Sequence, residues 1–549
     1  MSIPCRHDRA VALALDYNRA ASIGGFHPRR RRFTLSKNLL RATVLVGQMT
    51  LISRILGLAR DSVIAAVFGA SQASDAFFVA FKIPNLFRRL FAEGAFSQAF
   101  VPVLGGYKAE RPQAEVRALI DAVTGALAGI LFVVTALGVL AAPVVIAVVA
   151  PGFVEDQARY DLSVSLLRLT FPYLWFIALT ALLAGILNTY NRFAIPAVTP
   201  ALLNVALIGS ALWLAPRLAQ PIMALAVGVL IGGVLQLALQ IAAAHRAGIL
   251  PRPRWHWQHP GLQRILRLML PAIFGVSVAQ LNFLVDTLIA SFLREGSISW
   301  LYFSDRLMEF PLGIFGVALG TVILPSLSEH HARRNHQLFS DTLDWALRLV
   351  VLITIPCAVG LAVLAVPILS TLFHYGQMTE LDVVMAARSL VTYAFGLSGF
   401  ILVKVLAPGF FARQDIRTPV KIGIVALISN LVLNLILVWP LQHAGLALAT
   451  SLAAFINAGL LLRILRQQKI YRPGPGWLIF ILRVALAAVG MAIALYFLSD
   501  PLARWSAWGL MARAIHLTGL ILAGTLTYVG LCWLGGIRPR HVAQPKAAL

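Results

Sequence analysis

Long apolar runs separated by short polar connections fill the chain from residue 38 to residue 535. Fourteen can be marked, at 38–67, 72–104, 116–150, 163–190, 195–216, 221–244, 264–293, 298–328, 340–370, 383–412, 418–440, 444–466, 476–499 and 511–535. A helix crossing the hydrocarbon of a bilayer needs about 20 residues, and each run supplies that length. The connections are too short to hold a soluble domain. The pattern predicts an all-α polytopic membrane protein with 14 transmembrane helices.

Composition agrees. The chain has 549 residues, 59% hydrophobic and only 12% charged, where soluble domains carry about 25% charge. Its mean hydropathy is +0.81. The net charge of +24 does not indicate nucleic acid as a partner. Lys and Arg lie in short loops between apolar runs, as the positive-inside rule and anionic membrane lipids produce. Cys5, Cys357 and Cys532 are far apart and give neither a disulfide framework nor a metal site. No phosphate loop or nucleophile elbow is present, so the chain reads as a transporter and not an enzyme. Residues 1–36, with Arg29 to Arg32 and no long apolar core, are expected to form a disordered basic cytoplasmic extension and no secretory signal.

Loop charges predict both termini in the cytoplasm. Counting from an inside N-terminus, the inner loops receive Lys108, Arg111, Arg192, Arg252, Arg333, Arg413, Lys421, Arg466 and Arg538. The outer loops receive Glu155, Asp156, Glu380 and Asp382. Arg504 and Arg513 run against the pattern.

An internal repeat of about 223–225 residues is also visible. Asp61-Ser-Val-Ile-Ala65 parallels Asp286-Thr-Leu-Ile-Ala290, Phe77-Phe78 parallels Tyr302-Phe303, and Val101-Pro102 parallels Leu324-Pro325. Asn191 to Pro196 parallels Gln414 to Pro419. Segments 1–6 (residues 37–245) and 7–12 (246–472) are thus expected to form two bundles related by a pseudo-two-fold along the membrane normal, with the site between them. Residues 473–540 add two helices outside the repeat, and 541–549 form a cytoplasmic tail.

Charges at membrane depth rarely face lipid and mark functional paths. Segments 1 and 2 carry Arg54, Arg60, Asp61, Asp75, Lys82, Arg88, Arg89 and Glu93; segment 8 carries Asp305, Arg306 and Glu309. Segments 3 to 6 are almost free of charge, which predicts a cavity polar on one wall, lined by helices 1, 2 and 8. Arginine's fixed charge and forked donors suit pyrophosphate or carboxylate, so an anionic ligand is expected. Asp286, Asn430, Asn434 and Thr450 offer hard oxygen ligands on helices 7, 11 and 12, as a Na⁺ site or a titrating proton site would. An ordinary interhelical hydrogen-bond network accounts for the same residues.

The runs Ser53-Arg54-Ile-Leu-Gly-Leu-Ala-Arg60-Asp61, Ser74-Asp75 through Lys82-Ile-Pro84-Asn85-Leu-Phe-Arg88-Arg89, Asp305-Arg306-Leu-Met-Glu309-Phe-Pro311 and Ala407-Pro408-Gly409 through Arg413-Gln414-Asp415 closely resemble the MurJ (MviN) family. The resemblance covers about residues 37 to 540. It implies a lipid II flippase of the bacterial inner membrane, within the multidrug/oligosaccharidyl-lipid/polysaccharide exporter superfamily. The implied cargo is undecaprenyl-pyrophosphate-linked disaccharide-pentapeptide, delivered to the periplasmic leaflet for peptidoglycan synthesis. The family's cavity residues match Arg54, Arg60, Asp75, Arg88 and Arg306, and Ser299 and Glu309 fall at positions lining its route. Its last two helices form a lipid-facing groove for the polyprenyl tail. The resemblance also implies membrane lipids and cell-wall synthesis machinery as partners, with no bound cofactor. The membrane potential and Na⁺ or H⁺ are the expected drives. The 36-residue extension has no family counterpart, and at Asp286 the family varies between acid and amide. Two other readings are a drug or other lipid-linked oligosaccharide exporter of the superfamily and a non-transporting envelope-assembly scaffold. Neither explains both the deep arginines and the two extra helices.

Overall fold

A computed structural model describes residues 37–89 and 95–538. The expectations for residues 1–36, Glu93 and the tail 541–549 lie outside the described residues. The chain divides into two compact units, Met1–Gln48 and Met49–Leu549. The described part of the first is helical backbone from Lys37. The second unit holds the helical bundle from Met49 onward.

Among the described residues there are twenty α-helices and no strand. The first half holds α1 (Lys37–Phe68), α2 (Gln72–Phe87), α3 (Ala95–Glu110), α4 (Gln113–Leu140), α5 (Ala142–Val149), α6 (Gln157–Thr170), α7 (Tyr173–Thr189), α8 (Ala194–Gly209) and α9 (Met223–Arg246). The second holds α10 (Pro260–Ala290), α11 (Ser297–Pro311), α12 (Val317–Ala332), α13 (His336–Val363), α14 (Ala365–Leu372), α15 (Glu380–Phe411), α16 (Arg417–Leu441) and α17 (His443–Gln467). The chain ends with α18 (Trp477–Leu498), α19 (Leu502–Ala507) and α20 (Leu510–Leu534).

Eleven spans among the described residues are long and apolar enough to cross a membrane. They coincide with segments 3–6 and 8–14 of the hydropathy pattern. Helices α1, α2 with α3, and α10 stand at segments 1, 2 and 7 and are not among the eleven. Fourteen crossings therefore remain the expectation of the pattern. Helices are the form that satisfies backbone polar groups within one segment, as hydrocarbon requires. Phe132, Trp439 and Phe497 are 65%, 85% and 81% exposed, side-chain surface that lipid would cover.

The repeat returns as backbone detail. The offset that separates Pro102 in α3 from Pro325 in α12 also separates the breaks at Ala141 and Leu364, where α4 gives way to α5 and α13 to α14. It also separates Asn191 from Gln414, both left-handed at φ 59° and 61°. Beside Gln414, Asp415 accepts from Thr418 N and Oγ1 at 3.0 and 2.7 Å and opens α16. The Thr418 hydroxyl holds this loop carboxyl below its ordinary pKa.

The C-terminal pair α18 and α20 builds its own core from Val484, Ala487, Met491, Leu495, Leu517 and Leu520, joined by Leu364. Two polar anchors fix it. Buried Arg513 donates to the carbonyls of Ser370 and His374, each at 2.8 Å, and of Ser506 at 3.1 Å. Arg504 pairs with Asp500 at 2.5 Å. Each of the two arginines that broke the loop-charge pattern thus has a local partner. At the start of α18, Asp344 Oδ1 accepts from Tyr471, Gly474 N and Trp477 Nε1 at 2.8, 3.0 and 2.7 Å. Asp344→Ala would strand those donors, a cost on the order of 2 kcal/mol. It should lower the unfolding temperature of the purified protein; an unchanged temperature would contradict this anchor.

Candidate functional site

A cavity of about 370 Å³ lies among α1, α2, α7, α8, α9, α10, α11 and α15. Its charged lining comprises Arg60, Lys82, Arg88, Arg89, Arg306, Asp286, Asp305 and Glu309. Five cations thus stand against three carboxylates, a local environment suited to an anion.

Two cations are held by a carboxylate behind the wall. Asp61, fully buried, accepts from Arg60 Nη2 at 2.6 Å through Oδ1 and from Arg306 Nε at 2.7 Å through Oδ2. Tyr302 donates to the same Oδ1 at 2.9 Å, and its ring stacks on Phe78 at 4.0 Å. Arg60 Nη1 reaches Asn204 Oδ1 at 3.1 Å. Arg306 Nη1 meets Glu309 at 3.1 Å. Its Nη2 makes no hydrogen bond among the described residues, and the side chain is 35% exposed. Arg306 is therefore oriented by two acids while one donor edge stays available.

Other predicted residues sit elsewhere. Arg88 is on the lining, with Nε donating to Asn85 at 2.8 Å. Arg54 is exposed on α1, its guanidinium close against Gly313, where α11 passes into the π-helical turn Leu312–Gly316. Asp75 and Ser299 are outside the cavity lining. They meet at one end of the cavity, both fully buried. Asp75 accepts from Gly296 N at 2.9 Å, Ser299 N at 2.9 Å and Ser299 Oγ at 2.6 Å. Gly296 is the N-cap of α11, so a carboxylate from α2 caps the first turn of a helix in the other repeat. Arg159 on α6 completes the group, 3.0 Å from Asp75.

The backbone closes tightly around this contact. Gln377 N donates to Ala66 O at 2.9 Å, Gln72 N to Glu295 Oε1 at 2.7 Å, and Gly152 N to Ser291 Oγ at 3.0 Å. Gly376, at φ 56°, has no room for a side chain, since a Cβ would lie 2.2 Å from Ala66 O. At this end the two repeats are sealed by buried ionic and backbone contacts.

The four residues of the expected cation site come together. Asn434 Nδ2 donates to Asp286 Oδ1 at 2.8 Å and Thr450 Oγ1 to Oδ2 at 3.3 Å. Asn430 donates to Thr450 at 3.2 Å and accepts from Asn434 at 3.1 Å. Asn434 Oδ1 is buried and has no hydrogen-bond partner among the described residues. The group is rich in oxygen, and its donor set fits a monovalent cation or a proton.

One expectation needs correction. The cavity is not polar on one wall only: Asn204 on α8 and Gln236 on α9 line it, and Arg159 on α6 anchors the seal. Counting charges misses Asn and Gln, and Arg159 falls just outside its apolar run. Asp61 and Tyr302 add to the site as well, and the adjacent Arg60-Asp61 pair is a local sequence signal of the buried ion pair.

Residues 64–516 match the family model described as Lipid II flippase MurJ. The chain is 48% identical over 512 residues to a probable lipid II flippase MurJ of Vibrio cholerae, covering 92% of this chain and 98% of that protein. It is 45% identical over 514 residues to the lipid II flippase MurJ of Burkholderia cenocepacia, covering 91% and 98%. Among solved structures it is similar to a lipid II flippase MurJ in an inward closed conformation, with a TM-score of 0.73, 27% identity and coverage of 89% and 98%. An inward-facing multidrug resistance transporter of the MATE family shares the fold, at a TM-score of 0.62 and 13% identity. The match spans both repeats and nearly the full length of these relatives: the chain belongs to the lipid II flippase MurJ family.

Proposed function

We propose that this chain moves lipid II from the cytoplasmic to the periplasmic leaflet by alternating access. The observation that carries the reading is the cationic cavity beside a sealed end, with Arg306 held by Asp61 and Glu309 and one edge unspent. The loop charges assign the sealed end, at residues 66–75 and 291–299, to the periplasmic side. The cavity then receives its ligand from the cytoplasmic leaflet. Pyrophosphate oxygens supply the paired acceptors that Arg306, Arg60 and Arg88 are built to meet. Arg54, exposed on α1, meets the anion first. The polyprenyl chain stays in lipid along α18 and α20.

Release needs the Asp75 seal to open while the cytoplasmic side closes, as the two six-helix halves rock about the site. An inside-negative potential favours return of the empty cationic cavity, by about 2.3 kcal/mol per charge per 100 mV. Asp286 with Asn430, Asn434 and Thr450 takes Na⁺ or a proton during that return. The cell-wall synthesis machinery receives the product.

Depletion of this protein, with no redundant flippase present, should remove lipid II from the outer face of the inner membrane, as read by an impermeant probe. Unchanged exposure would favour a drug exporter or a scaffold. Arg306→Ala should abolish flipping while leaving insertion and monodispersity intact, and Arg306→Lys should not restore full activity, because an ammonium lacks the fork. Normal flipping by the Ala variant would sink the arginine route. Asp286→Asn should remove any sodium dependence of flipping; sodium dependence that persists in this variant would place ion coupling elsewhere.

A further inference from the structure

Lys82 has no role in the flipping scheme, yet it reaches across the repeats. It stands on α2, and its Nζ bonds Thr287 Oγ1 at 2.6 Å on α10, the residue next to Asp286. It lies within Coulombic reach of Asp286 and Asp305, and all of these line one cavity. We propose that Lys82 is a tethered cation that competes with a mobile monovalent cation for Asp286, so that filling the cation site releases α2 from α10. This role rests on Asp286 being a cation site, as proposed for the flipping cycle.

Asp286 takes hydrogen bonds from Asn434 and Thr450, but those neutral donors do not balance its charge. The Lys82 ammonium, held on the adjacent Thr287, is a cation on the same cavity lining. A second cation drawn to Asp286 and to Asn434 Oδ1, which has no hydrogen-bond partner among the described residues, would stand beside that ammonium. Two like charges a few ångströms apart in a partly buried cavity repel by several times thermal energy, so one is displaced. Lysine suits this task, since its flexible stem lets the charge move while remaining in the cavity. Asp305, on α11, is its second acidic neighbour. Cation entry therefore transfers Lys82 from Thr287 toward Asp305, exchanging an α2–α10 contact for an α2–α11 contact. Ion occupancy is thereby converted into a change of partner between the two repeats.

The test is ²²Na⁺ binding to the purified full-length protein in detergent, comparing the native chain with Lys82→Met, Lys82→Arg and Asp286→Asn. Lys82→Met should tighten sodium binding on the order of tenfold, Lys82→Arg should leave it near the native value, and Asp286→Asn should abolish it in either background. Lys82→Gln gives the same comparison should the Met variant not fold. Binding that is unchanged in Lys82→Met and Lys82→Gln but lost in Asp286→Asn overturns the competition and leaves the cation site standing. No sodium binding by any form overturns both.

Discussion

Asp61 and Asp75 hold carboxylates that are fully buried, and the geometry of the cavity depends on how those charges are met. A buried carboxylate that loses its partner costs about 3–5 kcal/mol, more than most single contacts supply. Asp61 is met by guanidinium groups from α1 and α11, and Asp75 by the first turn of α11 and by Arg159. Both acids belong to the first repeat, and both depend on α11 of the second. These pairings register the repeats on each other. Neither can separate without another group taking over the charge.

That constraint explains how one helix serves two purposes. The N-terminal turn of α11 closes the seal through Ser299, and about two to three turns further on, Asp305, Arg306 and Glu309 line the cavity. Arg306 presents to the cavity its Nη2 edge, which makes no hydrogen bond among the described residues, while its Nε and Nη1 are held by Asp61 and Glu309. The guanidinium that faces the cavity is thus also the one that ties α1 to α11. The π-helical turn after Pro311 places an irregular backbone step directly below these residues, a feature often found at functional sites.

Much of this was legible in the sequence because the bilayer imposes a coarse code. Apolar run length located the eleven spans found among the described residues, and the offset pairs such as Pro102 with Pro325 exposed the repeat. Asp286, Asn430, Asn434 and Thr450 could be grouped because they are polar positions on three helices of one repeat, and the structure brings them together. What escaped were pairings set by distance along the chain. Nothing local in Ser74-Asp75 says that its partner is the start of a helix more than two hundred residues later. The resemblance implies Asp75 as a cavity residue and Ser299 as one lining the route, and their meeting in the buried seal is a tertiary fact. Arg513 looked like a topological anomaly because its partners are backbone carbonyls, which carry no sequence signature.

Alternating access requires the end closed by Asp75 to open before the cargo can leave. Gln72→Cys and Glu295→Cys place thiols across that end, where the backbone of one residue already bonds the other's side chain. They would be introduced with the native cysteines replaced by Ser, joined by a short reducible thiol cross-linker, and lipid II translocation measured in proteoliposomes. Cross-linking should stop translocation, and reduction should restore it. Full translocation by the cross-linked protein would show that this end need not open.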